Sequence, residues 1–475
     1  MVQGRTLSGK RNRRIVLAGD YAHRAPTKLI DTAGMRPGLI LAALALWPAC
    51  TFDLGFEGTR YRCGEGERCP EGQTCVSGVC TVGVDANDAD AIDGEAACGN
   101  LSLLRDTFDL AGDLPLWERF VDAGAALAET GGELIIDLPA GTNAYARYSS
   151  SFLYDLRGGA LLVQVDEVAG ADTLIEVRNH LGHAAQLLHQ GGMMVAATTN
   201  HPGAGTHASA PRMAAEIHWR IREDAGALVW ETSADRVSWR ELHRRTLAFD
   251  VAHVRGLIAA GGVSASTSRA RFEDVNLLGS AVGFCSTDGL VDDFAATPLD
   301  PIWNDYDAAG CTVVEMNGKL AMSFAGNNGN AFCGITSYHL WDLTAGKGVA
   351  IDGASFPRET SFAGYFQATA PRDGATRVEL VVDGPDLEAR GFLNGTPTGV
   401  PRAATFDRIN QKFWRMSAVP GTAIFETAPT RSGPWTEFHR IDAPWDLTAI
   451  EINLGAGNYG PTPPVNVRVA GVNAD

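Results

Sequence analysis

The chain has 475 residues, enough for about three domains, and 45% of them are hydrophobic, which excludes wholesale disorder. Its formal net charge of −17 argues against a nucleic-acid partner, which needs a basic face, and against docking on anionic lipid. The 54 glycines and a charged fraction of only 20% favour short strands and turns over long charged helices.

A targeting segment is predicted over residues 1–49. An apolar run of about a dozen residues follows Met35 and ends at Cys50, which is too short to span a bilayer and typical of a signal peptide. We therefore interpret Met35 as the true start. The run resembles a bacterial lipoprotein signal, and this resemblance implies that Cys50 is acylated and becomes the mature N-terminus. An ordinary secretory signal and a buried apolar helix are the alternatives.

Residues 50–81 are predicted to form a small disulfide-rich module. The chain has nine cysteines, and lipidation of Cys50 leaves the even number expected of an exported protein. So short a segment cannot bury a core, so two disulfides are expected to hold it, with three pairings open. Zinc binding is the alternative, although only Cys75 and Cys80 come near the close cysteine spacing that structural zinc sites favour. The module resembles short EGF-like or knottin-like domains, and its cysteines are Cys63, Cys69, Cys75 and Cys80.

Residues 82–99 are predicted to be an acidic linker. They contain no Lys or Arg, and like charges along such a segment repel one another and extend it. The segment does not match a calcium-binding loop, because the sixth position counted from Asp85 is Asp90 and not glycine.

The rest of the chain is an internal repeat with copies over 100–282 and 287–475. Ten of 31 positions are identical when Leu104–Leu134 is aligned with Leu290–Leu320, whereas chance gives about two from average composition. Each copy shows short β-rich runs bounded by Gly, Asp, Asn or Pro and lacks a capped, long helical period. The fold class is therefore all-β, with two tandem antiparallel β-sandwiches of the jelly-roll type.

Spaced aromatic residues relate each copy to a known family. Each copy opens with Asp-x-Phe and has a tryptophan nine residues after the phenylalanine, followed by Gly-x-Leu and a later Trp-Arg-Ile or Trp-Arg-Met. This pattern resembles the concanavalin A-like lectin/glucanase sandwich, and most closely its non-catalytic versions on bacterial surface proteins. The resemblance implies a carbohydrate or another surface polymer as the ligand.

The repeat predicts how the remaining cysteines pair. Cys311 and Cys333 align with Ala125 and Ala146, so the second copy gains two cysteines together, which favours a Cys311–Cys333 disulfide. In the resembled family, the first and last strands of a domain are neighbours. The resemblance therefore implies a Cys98–Cys285 disulfide that closes the first copy.

No catalytic site is predicted. Catalytic members of the resembled family carry Glu-x-Asp-x-x-Glu on one strand, and this motif is absent; the nearest runs, Glu133–Asp137 and Glu379–Asp383, have other spacings. Carboxylates from distant strands can still meet in space, so a diverged polysaccharide hydrolase stays an alternative.

His180 and His183 have the spacing of a metal-binding pair. The second copy lacks this cluster, however, so we predict solvated histidines there, no metal and no cofactor, and leave structural calcium open.

Two tryptophans are the candidate ligand contacts. The repeated pairs Trp117/Trp303 and Trp219/Trp414 occupy strand-like positions, which predicts core packing. Trp239 and Trp435 follow turn-like stretches and are the better candidates for a binding rim. Asn327 and Asn328 lie in a Gly/Asn-rich loop that offers either amide contacts to a polar ligand or simple turn chemistry.

The sequence thus favours an exported, lipid-anchored surface protein of the bacterial envelope, placed at the outer membrane or cell surface, that binds carbohydrate or another surface polymer without cleaving it. The membrane is contacted through the lipid anchor only, and no nucleic-acid partner is expected. A structural or adhesive, protein-binding surface lipoprotein is the alternative, followed by the diverged hydrolase.

Overall fold

The computed structural model describes the hairpin residues 73–76 and 79–82 and residues 99–474, the latter without 110–115, 123, 278–282, 296–298, 308–309, 326–330, 354–355, 357–360 and 460–463. The predicted targeting segment with Cys50 lies outside these residues, as do Cys63, Cys69 and Cys98. Among the described residues, no helix has the length and apolar character needed to cross a membrane.

A short hairpin is described in the predicted disulfide-rich module. Strand β1 (Gln73–Val76) pairs antiparallel with β2 (Val79–Val82), and Cys75 stands opposite Cys80 in the register. The hairpin does not belong to the structural unit that contains both repeats. The disulfide pairing within the module stays a prediction.

The first repeat folds into a sandwich of two seven-stranded sheets, preceded by a 3-10 turn at Leu101–Leu103. Every strand pairing in it is antiparallel. The strands are β3 (Trp117–Val121), β4 (Ala126–Thr130), β5 (Glu133–Leu138), β6 (Asn143–Ser150), β7 (Ala160–Glu167), β8 (Asp172–Asn179), β9 (Ala184–Gln190), β10 (Met193–Thr199), β11 (Gly205–Pro211), β12 (His218–Asp224), β13 (Ala227–Ser233), β14 (Trp239–Thr246), β15 (Val254–Val263) and β16 (Ser268–Val275). The sheet orders are β11-β10-β9-β8-β15-β6-β3 and β14-β13-β12-β7-β16-β5-β4.

Alternation of apolar and polar side chains determines which face of each strand is buried, as β5 illustrates. Leu134, Ile136 and Leu138 are at most 2% exposed and enter the core between the sheets. The intervening Glu133 and Asp137 point to the other face, where each forms an ion pair with an arginine of β16. This two-residue period is the signature of a strand with one buried face.

The second repeat is a sandwich with its own core. The short strand β17 (Cys285–Ser286) and a 3-10 turn at Thr287–Gly289 come first. The strands that follow are β18 (Trp303–Asp307), β19 (Cys311–Glu315), β20 (Leu320–Phe324), β21 (Ala331–Ser337), β22 (Trp341–Asp342), β23 (Val349–Asp352), β24 (Phe362–Ala370), β25 (Asp373–Asp383), β26 (Asp386–Leu393), β27 (Thr396–Pro397), β28 (Arg402–Thr405), β29 (Phe413–Val419), β30 (Thr422–Ala428), β31 (Thr436–Asp442), β32 (Glu451–Asn458) and β33 (Val465–Val469).

One layer of the second sandwich is a continuous sheet and the other is divided. The continuous sheet has eight strands in the order β18-β21-β32-β24-β25-β26-β27, with β28 also paired to β26. The opposite layer consists of a three-stranded sheet, β19-β20-β33, and a four-stranded sheet, β23-β29-β30-β31. Val472, beyond the end of β33, forms a bridge with Ile351 of β23. The short pair β17–β22 is parallel. The predicted fold class, all-β with two antiparallel sandwiches, is confirmed.

The repeated Asp-x-Phe…Trp motif forms the same turn in both copies. Asp106 accepts the Phe108 amide at 2.8 Å and the Trp117 indole N–H at 2.7 Å. Asp292 makes the matching bonds, both at 2.7 Å. Each phenylalanine has a φ of 52°, a conformation rare outside glycine, and the aspartate stabilises it by hydrogen-bonding two residues ahead. Trp117 and Trp303 are buried, as predicted.

An asparagine near the end of each copy forms a second repeated set of hydrogen bonds, which the sequence analysis did not predict. The Asn276 amide donates to the Leu101 and Leu104 carbonyls at 2.9 and 3.0 Å, and its oxygen accepts from a β7 amide. Asn473 makes the equivalent three bonds in the second copy. The end of each copy is thereby fastened to the turn that opens it.

The two sandwiches share a junction. Leu340 lies between β21 and β22 of the second copy, yet it is 3% exposed and packs into the core of the first. The Leu153 amide donates to the Tyr338 carbonyl at 2.9 Å. The guanidinium of Arg372 forms an ion pair with Glu118.

The cysteines bear out one predicted pairing. Cys311 and Cys333 form a disulfide, with a Cα–Cα distance of 6.1 Å, and this prediction is confirmed. Cys285 is also disulfide-bonded. The Gly99 amide donates to the Gly283 carbonyl at 3.3 Å, so the chain beside Cys98 lies near Cys285. Since Cys98 is outside the described residues, its pairing with Cys285 stays a prediction.

Candidate functional site

A groove of about 600 Å³ lies over the outward face of the eight-stranded sheet of the second sandwich. Strand alternation builds it. In β24, Phe366 and Ala368 are fully buried in the core, whereas Tyr365 and Gln367 point the other way and line the groove. Side chains from β18, β21, β25, β26 and β32 also line it.

Two tyrosines form the centre of the groove floor. The hydroxyls of Tyr306 and Tyr365 are 2.8 Å apart and hydrogen-bonded to each other. They lie close to the backbone because Gly334 and Gly455 stand beneath them, where a Cβ would come within 2.5 and 2.4 Å of the Tyr306 hydroxyl. Burial raises the pKa of Tyr365 to about 12, so the pair is neutral at physiological pH.

Two further aromatic rings extend this floor. Phe332 lies on Gly457 of the neighbouring strand, where a Cβ would be 2.2 Å from the ring. Tyr459 meets Phe332 edge to face at 5.3 Å between ring centroids and is 52% exposed. The four rings thus form an aromatic cluster on the groove floor, and Tyr459 is its solvent-exposed member.

A buried carboxylate with two arginines forms one side of the groove. Glu379 is 2% exposed, and it accepts from the Gln367 amide at 2.6 Å. Arg377 and Arg390 approach its two oxygens at 3.0 Å each. Two guanidinium groups around one carboxylate compensate its charge, so this cluster presents arginine N–H groups rather than a free base.

The other side of the groove is a chain of polar side chains. The Asn453 amide donates to the Thr369 hydroxyl at 3.0 Å, and Thr336 donates to Asn453. Glu451 accepts from the Arg372 amide at 3.1 Å, and burial raises the pKa of this carboxyl group. These groups form a fixed set of donors and acceptors beside the aromatic floor.

The first sandwich carries a related but altered face. Tyr145 lies on Gly261 as Phe332 lies on Gly457, at the same register positions. A buried glutamate–glutamine pair is also present, because Glu176 accepts from Gln186 at 2.6 Å. The strand order shows that the two residue types have exchanged strands, with the glutamate on β8 in the first copy and on β25 in the second.

The tryptophans proposed as ligand contacts lie outside this groove. Trp239 and Trp435 are half-buried, and each is stacked against an arginine, Arg220 at 3.9 Å and Arg415 at 4.4 Å from the ring centroid. Trp435 also lines a separate groove of about 570 Å³. Trp219 and Trp414 are fully buried, in agreement with their predicted core role. Asn327 and Asn328 lie outside the described residues.

The histidines of the first sandwich are not arranged as the sequence spacing suggested. His180 lies beside Asp250 and His253, whose potential ligand atoms all fall within 4.8 Å of one another. His183 instead meets the ring of His201 at 6.1 Å. His201 is itself buried, at 8% exposed, and packs beside Phe249.

Sequence reasoning missed the groove residues. Tyr306 aligns with Phe120, and Phe332 aligns with Tyr145, so aromatic character at both positions was a signal available in the repeat. Glu379 was considered only for its spacing to Asp383. Its arginine partners belong to two strands, so only strand pairing reveals the cluster.

No family model and no curated protein matches the chain. Solved structures that are similar to parts of it include the following three. A prokaryotic β-1,3-1,4-glucanase (lichenase) derived from a mouse hindgut metagenome is 11% identical, with a TM-score of 0.28 over 36% of this chain and 96% of that one. A Bacillus licheniformis β-glucanase is 10% identical, with a TM-score of 0.28 over 36% and 95%. A legume lectin-like domain from Entamoeba histolytica is 12% identical, with a TM-score of 0.25 over 34% and 87%. At such TM-scores these likenesses carry no argument about function.

Proposed function

We propose that the groove of the second sandwich binds a polysaccharide without cleaving it. The observation that carries the proposal is the cluster of four aromatic rings on the groove floor, three of them packed close to the backbone over glycines, with polar side chains on both sides. A sugar ring has an apolar face and a rim of hydroxyls, and a site of this kind matches both, with apolar area for stacking and a few placed polar groups for orientation.

The carboxylates of the groove favour binding over hydrolysis. Glycoside hydrolysis uses two carboxyl groups, one as a proton donor and the other as a base or nucleophile. Glu379 is ion-paired with Arg377 and Arg390, so guanidinium groups of the protein itself lie against both of its oxygens. Glu451 is 9% exposed and receives hydrogen bonds from Arg372 and Thr369. The groove thus lacks a free opposed pair among its described residues.

Binding is tested with the purified, oxidised chain and a panel of neutral and anionic polysaccharides, by affinity electrophoresis and calorimetry. Saturable binding with no release of reducing ends is expected. Tyr365→Ala is expected to weaken binding roughly tenfold, which corresponds to about 1.4 kcal/mol, whereas Tyr365→Phe keeps the ring and most of the affinity. No binding to any polysaccharide would overturn the proposal in favour of a structural or protein-binding role.

Substitution of the tryptophans separates this groove from the site expected from sequence. Trp239→Ala and Trp435→Ala leave the aromatic floor intact, so binding at the groove predicts unchanged affinity. A loss confined to Trp435→Ala would assign recognition to the separate groove beside that residue, and a loss confined to Trp239→Ala would assign it to the first sandwich.

We also propose that the protein is exported and held at the bacterial cell envelope through an acyl group on Cys50. The proposal rests on the apolar run that ends at this cysteine and on the even cysteine count that remains after it. Growth with a labelled fatty acid is expected to label the wild type and not Cys50→Ser. Equal labelling, or none in the wild type, would contradict lipid attachment at this residue.

A further inference from the structure

Two neighbouring strands bring His180, Asp250 and His253 together at one edge of the first sandwich. Strands β8 and β15 are antiparallel neighbours, and Asn179 at the end of β8 is paired with Val254 at the start of β15. The residues just beyond these ends are His180 and His253, so the pairing places them side by side. Asp250 lies three residues before His253 in the sequence.

The three side chains are a set of metal ligands within reach of one another. Their potential ligand atoms lie within 4.8 Å of each other, and the Nδ1 of His253 is 3.1 Å from an oxygen of Asp250. The two imidazole rings are nearly perpendicular, with centroids 6.1 Å apart. Two imidazoles with one carboxylate are a ligand set that zinc and related divalent ions use, with further positions left to water or another ligand.

A buried asparagine fixes the backbone of this cluster. Asn179 is 4% exposed, and its oxygen accepts the Leu181 and His183 amides at 3.0 Å each, which shapes the turn that carries His180. Its amide nitrogen donates to the Asp250 carbonyl at 3.2 Å and so ties both ligand segments together. Outer hydrogen bonds of this kind orient metal ligands before the ion arrives.

An additional imidazole lies against the cluster from the second sandwich. His339 packs edge to face on His253, with ring centroids 5.3 Å apart. Its Nε2 is buried and has no hydrogen-bond partner among the described residues. A buried nitrogen without a partner is costly in an apolar setting.

We propose that His180, Asp250 and His253 bind one divalent transition-metal ion of the zinc class at the junction of the two sandwiches. The site is independent of the polysaccharide groove, which lies on the second sandwich. It also differs from the His180/His183 pair suggested by sequence spacing, because His183 faces His201 instead.

Zinc binding is measured by calorimetry on the oxidised, chelator-treated and dialysed chain, with Co²⁺ absorption as a spectroscopic check of nitrogen and oxygen ligands. One zinc ion per chain is expected. His180→Ala and His253→Ala are expected to weaken zinc binding at least tenfold and to remove the cobalt bands. His183→Ala is the matched control, from the same turn and of the same residue type, and is expected to keep both.

Several outcomes would overturn the proposal. These are the absence of zinc uptake by the wild type, uptake that survives His180→Ala unchanged, and an equal loss in His183→Ala, which would indicate unspecific histidine binding. His180 is exposed, so its substitution leaves the fold intact, and thermal unfolding of each variant without metal verifies this. If His253→Ala fails to fold, Asp250→Asn takes its place, with the same expected loss.

Discussion

Removal of the Cys311–Cys333 disulfide is a quantitative test of how the second sandwich is stabilised. The crosslink joins residues 22 apart in sequence. In the chain-entropy treatment, a loop of this length contributes about 3 kcal/mol by restricting the unfolded chain. For a domain of this size, the loss corresponds to roughly 6–12 °C in the midpoint of thermal unfolding. Alanine is the appropriate replacement, because the first copy has Ala125 and Ala146 at the equivalent positions.

The double variant Cys311→Ala/Cys333→Ala is compared with the oxidised wild type by thermal and urea unfolding, followed by tryptophan fluorescence. Cys311→Ala alone loses the same crosslink while retaining one buried sulfur, so similar losses in both variants would attribute the effect to the crosslink and not to packing. An unchanged midpoint in the double variant would refute the loop-closure argument. The reciprocal change, Ala125→Cys with Ala146→Cys, is expected to form a new disulfide detectable by mass spectrometry.

Three further predictions concern the second sandwich. Trp303→Phe removes a hydrogen bond to the buried Asp292 and is expected to cost about 1–3 kcal/mol in urea unfolding; an unchanged midpoint would contradict it. Burial, reinforced by Asp292, raises the pKa of Glu315 from 4.5 to about 7. The folded state therefore binds more protons between these values, and stability falls as the pH rises through this window. Glu315→Gln should abolish that fall, and an identical pH profile would refute the assignment. Gly455→Ala places a Cβ against Tyr306 and Tyr365 and should weaken polysaccharide binding while secondary structure in circular dichroism is retained; full affinity would show that the floor tolerates the added atom.

The sequence predicted the features that depend on local patterns and on the repeat. Alternation gave strands such as β5, and the paired replacement of Ala125 and Ala146 by cysteines gave a disulfide that the structure contains. The aspartate–phenylalanine–tryptophan motif was recognised as a family pattern, and its physical basis is the hydrogen bonding of Asp106 to Trp117.

The candidate sites could not be predicted because strand pairing between distant segments creates them. Tyr306 and Tyr365 meet only because β21, β32 and β24 bring their strands into one sheet. His180 and His253 lie 73 residues apart in the sequence and become neighbours through the β8–β15 pairing. Neither contact can be predicted from the spacing of residues that are close together in the sequence. The exchange of glutamate and glutamine between strands further hides the relation between the copies from a position-by-position alignment.

The position of Leu340 makes the two copies dependent on each other for folding. A chain cut between the repeats would leave the first sandwich with an unfilled place in its core, and losing a buried leucine costs on the order of 2–5 kcal/mol. The same cut would expose an apolar side chain on the second. We therefore expect each half to be less stable when it is isolated by truncation than it is within the full chain.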